Sequence, residues 1–404
     1  MINLISIFLI IVFPFNVWSF ECSEMQVYDA AMSMCMPLPM EGMHMKMLML
    51  TGNAFMVGQA AEGPRGRRQI SGPNMLMLDA GSSLGNRHYL NLDFMTTAEL
   101  WTYPDNGYPE ILQIGETNKN GHPYIDAQHP HSSPIMGLTL SDTISLQNGK
   151  DHLKLFMAPR GEATEGPIAF MHRPTGIANP DAPLGHHIGQ DVAHISSTVI
   201  GSSLALGTTQ YQLSAFNGTE PKPGEVDLPI GRLNSGALRL IHKFTPQFMA
   251  MASAAYVQEP HTNLWRLSAS AYGEHGLGQN WRLYSTLIYG HITDYDHVSE
   301  LSSFAQEFWL KGECSRIWSR IEVLQRTAGQ LDIPDIVDQD RPRWVEAFTL
   351  GYTHALITFT GGEFSLGGSV TKNLVPESFE NAYRNDPWSA RVFLQIQGMK
   401  MWEF

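Results

Sequence analysis

The chain has 404 residues, only 16% of them charged, and a formal net charge of −13. That acidity excludes nucleic acid as a natural partner. No apolar run after residue 20 is long enough to cross a membrane as a helix, so a membrane role would have to use strands.

Residues 1–19 read as a signal peptide, with Val17 and Ser19 as the small residues of a cleavage site. No Lys or Arg precedes the apolar run. An uncleaved anchor is the alternative, poorly served by Pro14 and Asn16. Residues 20–42 read as a periplasmic Met-rich tail. Cys22 and Cys35 would meet an oxidising compartment there and could pair; Cys314 is left over. Met32, Met34, Met36 and Met40 offer thioethers, soft ligands that suit Cu(I) or Ag(I). The bland reading is adaptable apolar filler. From Met43 the spacing becomes two, so Met43, Met45, Met47 and Met49 are expected on the lipid face of a first strand.

Residues 43–404 read as short alternating runs broken by turn signals, with no period of 3.6. In 316–326, Ile317, Ile321 and Val323 oppose Arg316, Arg320, Glu322 and Arg326. In 263–274, Trp265, Leu267 and Ala269 oppose Arg266, Ser268 and Glu274. Short turns fall near 81–86, 148–151, 200–208, 245–247, 276–280, 312–315 and 358–361. Longer polar connections fall near 60–72, 99–133, 160–193, 218–231, 258–262, 293–302, 328–342 and 372–388. That alternation is the habit of an outer-membrane barrel. It predicts an all-β fold, a transmembrane antiparallel barrel of about sixteen strands, with short periplasmic turns, long external loops and both termini periplasmic. Trp101, Trp265, Trp281, Trp344, Trp388 and Trp402 are expected at strand ends, as interface girdles.

Seven histidines lie in the two longest loops: His122, His129, His131, His172, His186, His187 and His194. Asp126, Asp181 and Asp191 accompany them. Histidine with carboxylate suits copper, iron or zinc. Of these, His129, His131, Asp126, His172, His186, His187 and His194 are the candidate ligands; the bland reading is loop scaffolding. Loops of this length could also fold back and narrow the barrel. The inward faces lean basic: Arg239, Lys243, Arg266, Arg282, Arg316, Arg320 and Arg326 against Glu274, Glu307 and Glu322. A basic lumen would favour anions or chelates, whereas paired charges would be structural.

The last stretch, WSARVFLQIQGMKMWEF, ends on Phe404 with Val392, Leu394, Ile396, Gly398, Lys400 and Trp402 on one face. A closed barrel needs its last strand to pair with its first. The ending resembles that of bacterial outer-membrane barrels, whose terminal Phe is read by the barrel-assembly machinery.

The loop motifs IDAQHPH (125–131), AFMHRP (169–174) and NPDAPLGHH (179–187) carry a further likeness. They resemble those of uncharacterised bacterial outer-membrane barrel proteins with an Asp-x-Gln-His-Pro-His loop. The likeness covers about residues 43–220. Such proteins carry an acid after the second His of the motif, where this chain has Ser132. The resemblance implies a barrel and supplies no activity. The Met-rich start is similar in composition to copper-resistance outer-membrane proteins. The function expected is passage or binding of a small solute, a metal ion or metal chelate in the first place, as in iron–siderophore uptake or copper handling. The alternatives are a general porin-like channel or an outer-membrane lipid-modifying enzyme. Expected partners are outer-membrane lipid, the assembly machinery and the solute.

Overall fold

The computed structural model describes residues 26–29, 34–37, 46–118, 120–131, 133–146, 151–190, 194–221, 226–259, 262–295 and 298–404. The signal peptide, Cys22, Met32, Met40, Ser132 and Asp191 lie outside them.

Sixteen antiparallel strands close into a barrel. They are β1 (Lys46–Ala61), β2 (in two pieces, Arg68–Ser71 and Asn74–Leu84), β3 (His88–Thr96), β4 (Ile135–Ser145), β5 (His152–Arg160), β6 (Val199–Leu206), β7 (Thr209–Phe216) and β8 (Ser235–Thr245). They continue with β9 (Phe248–Gln258), β10 (Asn263–Leu277), β11 (Trp281–Tyr295), β12 (Val298–Lys311), β13 (Ser315–Arg326), β14 (Arg343–Phe359), β15 (Gly362–Leu374) and β16 (Trp388–Glu403). The seam is β16 on β1, in register from Ser389↔Ala61 to Glu403↔Met47. Beyond it, the Phe404 amide donates to the Lys46 carbonyl at 2.9 Å. Closure leaves no sheet edge, so each strand's backbone groups find partners on both sides.

Side chains alternate across the wall as period two requires. Along β13, Arg316, Trp318, Arg320, Glu322 and Arg326 are buried inside, while Ile317 is 44% exposed outside. Leu92, Leu238, Val392 and Ile396 are among the outward apolar residues. Such a skin suits lipid. Trp344 and Trp388 sit at strand ends beside longer connections, Trp265 at the same end of the barrel, and Trp281 and Trp402 at the opposite end. Trp101 differs: it belongs to a one-turn helix, Glu99–Thr102, within a loop.

Three further sequence expectations need correction. Met47 and Met49 face the lumen, 3% and 4% exposed; Leu48 and Leu50 take the outward positions. The connection after β9 spans only 259–262, and β11 and β12 are joined by two residues, 296–297. The polar 293–302 stretch reads as a loop, yet its Thr293, Tyr295 and Val298 continue the strand pattern. Within the stretch 20–42, Gln26–Asp29 pairs with Met34–Pro37 as a hairpin, placing Met34 and Met36 on a strand.

β2 breaks at Gly72-Pro73 for a stated cause. Pro73 has no N–H for the ladder. Its carbonyl still accepts from the Phe55 amide, and the Gly72 amide turns to the Thr102 carbonyl. The break thus anchors the Glu99–Thr102 turn at the lumen wall.

Candidate metal site

Two connections, 97–134 and 161–198, fold into the barrel. The described part of 161–198 is buried almost throughout. It crosses from wall to wall. The Thr164 amide donates to Ser214 Oγ on β7 and the Gly166 amide to Ser253 Oγ on β9. Further on, the Leu184 amide donates to Glu322 on β13, and Asn53 and Gln395 amides donate to the Ile177 carbonyl. Ile111, Leu112, Ile114, Leu184 and Ile188 from the two loops pack on Leu301, Leu324 and Val345 of the wall. Each such burial is worth about 1.5–3 kcal/mol, so the loops are held in the lumen.

This packing consumes the basic lining. Arg239 pairs with Glu162 at 3.1 Å, and Arg266 with Glu165 at 3.4 Å and Glu259 at 2.6 Å. Arg316 pairs with Glu363. Arg320 donates to Glu307 at 3.0 Å and to the Asp181 carbonyl at 2.8 Å. Arg326 donates to the Leu112 and Leu184 carbonyls. Arg282 reaches Glu274 at 3.3 Å with its side chain 58% exposed. Lys243 points inward near the end of β8, half-buried. The acids that meet Arg239 and Arg266 come largely from the folded-in loop, which strand alternation does not reveal.

Loop 97–134 contains a hairpin, Tyr108–Thr117 with Pro123–Gln128, followed directly by His129-Pro130-His131. Leu112 (φ 68°) and Asp126 (φ 51°) are left-handed there. Asp126 holds that strained pairing together, accepting from the Leu112 amide at 2.7 Å, Tyr383 Oη at 2.9 Å and Arg65 at 3.0 Å. It anchors the hairpin, and the histidine group described next does not include it.

The hairpin delivers His129 to His186 and His187, which open a wide turn, His186–Gln190. One ring nitrogen from each of the three histidines lies within 4.8 Å of the others. The His129 Nδ1–H has the Pro130 carbonyl at 2.9 Å, which assigns the lone pair to Nε2. Among the described residues, His186 Nδ1 and His187 Nε2 are buried without a hydrogen-bond partner. An orphaned buried nitrogen costs about 1–3 kcal/mol unless something accepts its lone pair. Burial, then the His187 imidazole, holds His186 well below the usual histidine range. Burial, then His129, does the same for His187. Both rings are thus neutral, the form that binds metal.

His131 and His194 flank the three. His194 is 5.0 Å from His186 and 5.4 Å from His131, centroid to centroid. His131 Nδ1 pairs with Glu99 at 2.6 Å, and the His131 amide donates to the same carboxylate at 3.0 Å. Burial opposes ionisation of Glu99, but the His131 charge and hydrogen bonds outweigh it and hold the carboxyl below its usual range. Glu99 escaped the sequence reading, because it lies thirty-two residues before its partner. His172 lies outside the group, its amide closing a turn onto the Ala169 carbonyl. The cavity between the rings holds about 10 Å³, room for a single ion or water.

No family model matches the sequence, and no curated protein does. Solved structures do. An anion-selective porin from Comamonas acidovorans is similar over 88% of this chain and 100% of its own, at 11% identity and a TM-score of 0.52. OmpF of Salmonella typhi, in a complex with daunomycin, is similar over 86% and 97%, at 7% identity and a TM-score of 0.51. The fold is that of the outer-membrane porins.

Proposed function

We propose that this chain is an outer-membrane barrel that binds a bare transition-metal ion, copper or zinc, at a histidine site on loops folded into its lumen. The observation that carries this reading is the convergence of His129, His186 and His187 on one point, with two buried nitrogens lacking partners. Three neutral imidazoles suit zinc or copper and leave a fourth position open. Tetrahedral zinc with bonds of about 2.1 Å would draw the three nitrogens to roughly 3.4 Å from one another. A metal chelate such as an iron–siderophore needs several hundred Å³, roughly 300 or more. The cavity here holds about 10 Å³, which favours the ion. The long loops face outward from the cell and the short turns and termini face the periplasm, the arrangement of porins.

A porin-like channel for general solutes is the second reading, favoured by the barrel likeness itself. The anion selectivity of the Comamonas protein does not carry over easily, because most of the inward arginines here are spent on ion pairs and carbonyls.

The test is metal content and affinity of the refolded barrel in detergent, wild type beside His129→Ala/His186→Ala/His187→Ala. Wild type should retain zinc or Cu(II) through gel filtration at about one per chain, and the triple variant should lose it. Equal content in both would remove the site.

A further inference from the structure

A porin lumen is normally lined by polar side chains. The inner wall of β1 to β4 keeps polar residues such as Gln59, Asn91 and Ser141 but also carries six methionines. Met47 and Met49 on β1 and Met75 and Met77 on β2 face inward, all under 10% exposed. The residues between them, Leu48, Leu50, Leu76 and Leu78, take the outward positions. Both strands thus put leucine toward lipid and methionine toward the lumen. Met95 on β3 lies directly opposite Met77, at a pairing distance of about 5 Å between Cβ atoms. Met136 on β4 is fully buried, and Met171 reaches the same cluster from the folded-in loop.

This patch adjoins the histidines. Phe170 and Ala182 belong both to the methionine cluster and to the lining of the histidine cavity. A neighbouring cavity of about 40 Å³ has Met75, Met171, His131 and Glu99 among its lining residues. One row nearer the termini, Met49 stands opposite Asp79, which is fully buried.

We propose that Met75, Met77, Met95, Met136 and Met171 form a second site, for a soft monovalent cation of the Cu(I) or Ag(I) class. Neutral thioethers bind such ions and hold hard or borderline divalent ions poorly, whereas the adjoining imidazoles take zinc and Cu(II). The two sites together sort ions by softness. The inference rests on the metal reading above only in that a cation must reach the lumen.

The experiment uses the full chain, refolded in detergent, titrated with Ag(I), which needs no redox control. Three proteins are compared: wild type, Met75→Leu/Met77→Leu/Met95→Leu/Met136→Leu, and the triple histidine variant. Leucine keeps volume and apolarity. The tail methionines are common to all three and cancel. The leucine variant should bind at least one Ag(I) fewer than wild type and retain zinc. The histidine variant should keep that Ag(I) and lose zinc. Equal Ag(I) stoichiometry and affinity in wild type and the leucine variant would overturn the inference, making the methionines filler. Zinc retained by the histidine variant would instead overturn the histidine site and leave the thioether result standing. Should the fourfold variant not fold, the opposed pair Met77→Leu/Met95→Leu carries the test. A fall of about tenfold or more in Ag(I) affinity supports the site, and an unchanged affinity sinks it.

Discussion

Glu307 on β12 lies between two guanidinium groups inside the barrel. Arg173 of the folded-in loop donates to it at 3.1 and 2.9 Å, Arg320 at 3.0 Å and Thr175 Oγ1 at 2.6 Å. Its side chain is 1% exposed and that of Arg173 is 0%. Removing one member of such a buried group leaves uncompensated charge and costs about 3–5 kcal/mol. Glu307→Gln should therefore loosen the loop more than the barrel. Hydrogen exchange of amides 168–177 should speed up while that of β12 holds; equal protection in both regions would refute this. Glu99→Ala addresses the other buried pair. It leaves His131 Nδ1 and its amide without their acceptor, at about 1–3 kcal/mol. Metal affinity is expected to fall while the three ligand histidines remain. At this scale the sequence singled out His129, His186 and His187, which the fold brings together, and Asp126, which it places in the hairpin instead. Its partners, Leu112, Arg65 and Tyr383, are up to 257 residues away in the chain, and no local pattern announces them.

At the scale of elements, the wide turn His186–Gln190 is seated on β11 and β12. Gly189 is left-handed (φ 65°), and Ser303 Oγ donates to the Ile188 carbonyl at 2.7 Å. A Cβ at Gly290 would come 2.1 Å from the Ile188 carbonyl oxygen, and 2.8 Å from Ser303 Oγ. Gly290→Ala must push the turn off the wall. The prediction is that zinc affinity drops with every ligand residue intact, while circular dichroism still reports the barrel. The loop 161–198 offers a second test. Replacing 164–190 by a short Gly/Ser link should raise single-channel conductance in planar bilayers severalfold over wild type. Unchanged conductance would mean that this loop does not limit the passage. The strand pattern was legible because lipid and lumen impose opposite demands on successive residues. The loop seats were not, because which wall strand a loop meets depends on closure of the whole ring. The methionine faces were misjudged for a simpler reason: Met and Leu alternate there, and both are apolar.

For the whole molecule, burial of two neutral histidines links loop docking to acidity. The folded values of His186 and His187 lie below the unfolded one, near 6.5. Beneath about pH 6.5 the undocked loop therefore binds more protons than the docked one. Docking should be fully stabilised above that pH and weaken as pH falls through it, by up to about 1.4 kcal/mol per pH unit for each ring. Hydrogen exchange of amides 185–190 in chelator at several pH values measures this. Protection that is flat from pH 7 to 5, or that rises on acidification, would contradict it.

The seam joining β16 to β1 has a consequence in time. Fifteen residue pairs bind the opening strand to the closing one, and the Phe404 amide completes the set. The opening strand therefore has only one neighbour until the closing strand, made long after it, arrives. The ring cannot shut before then, and until it does the waiting edge must be kept from sticking to other copies.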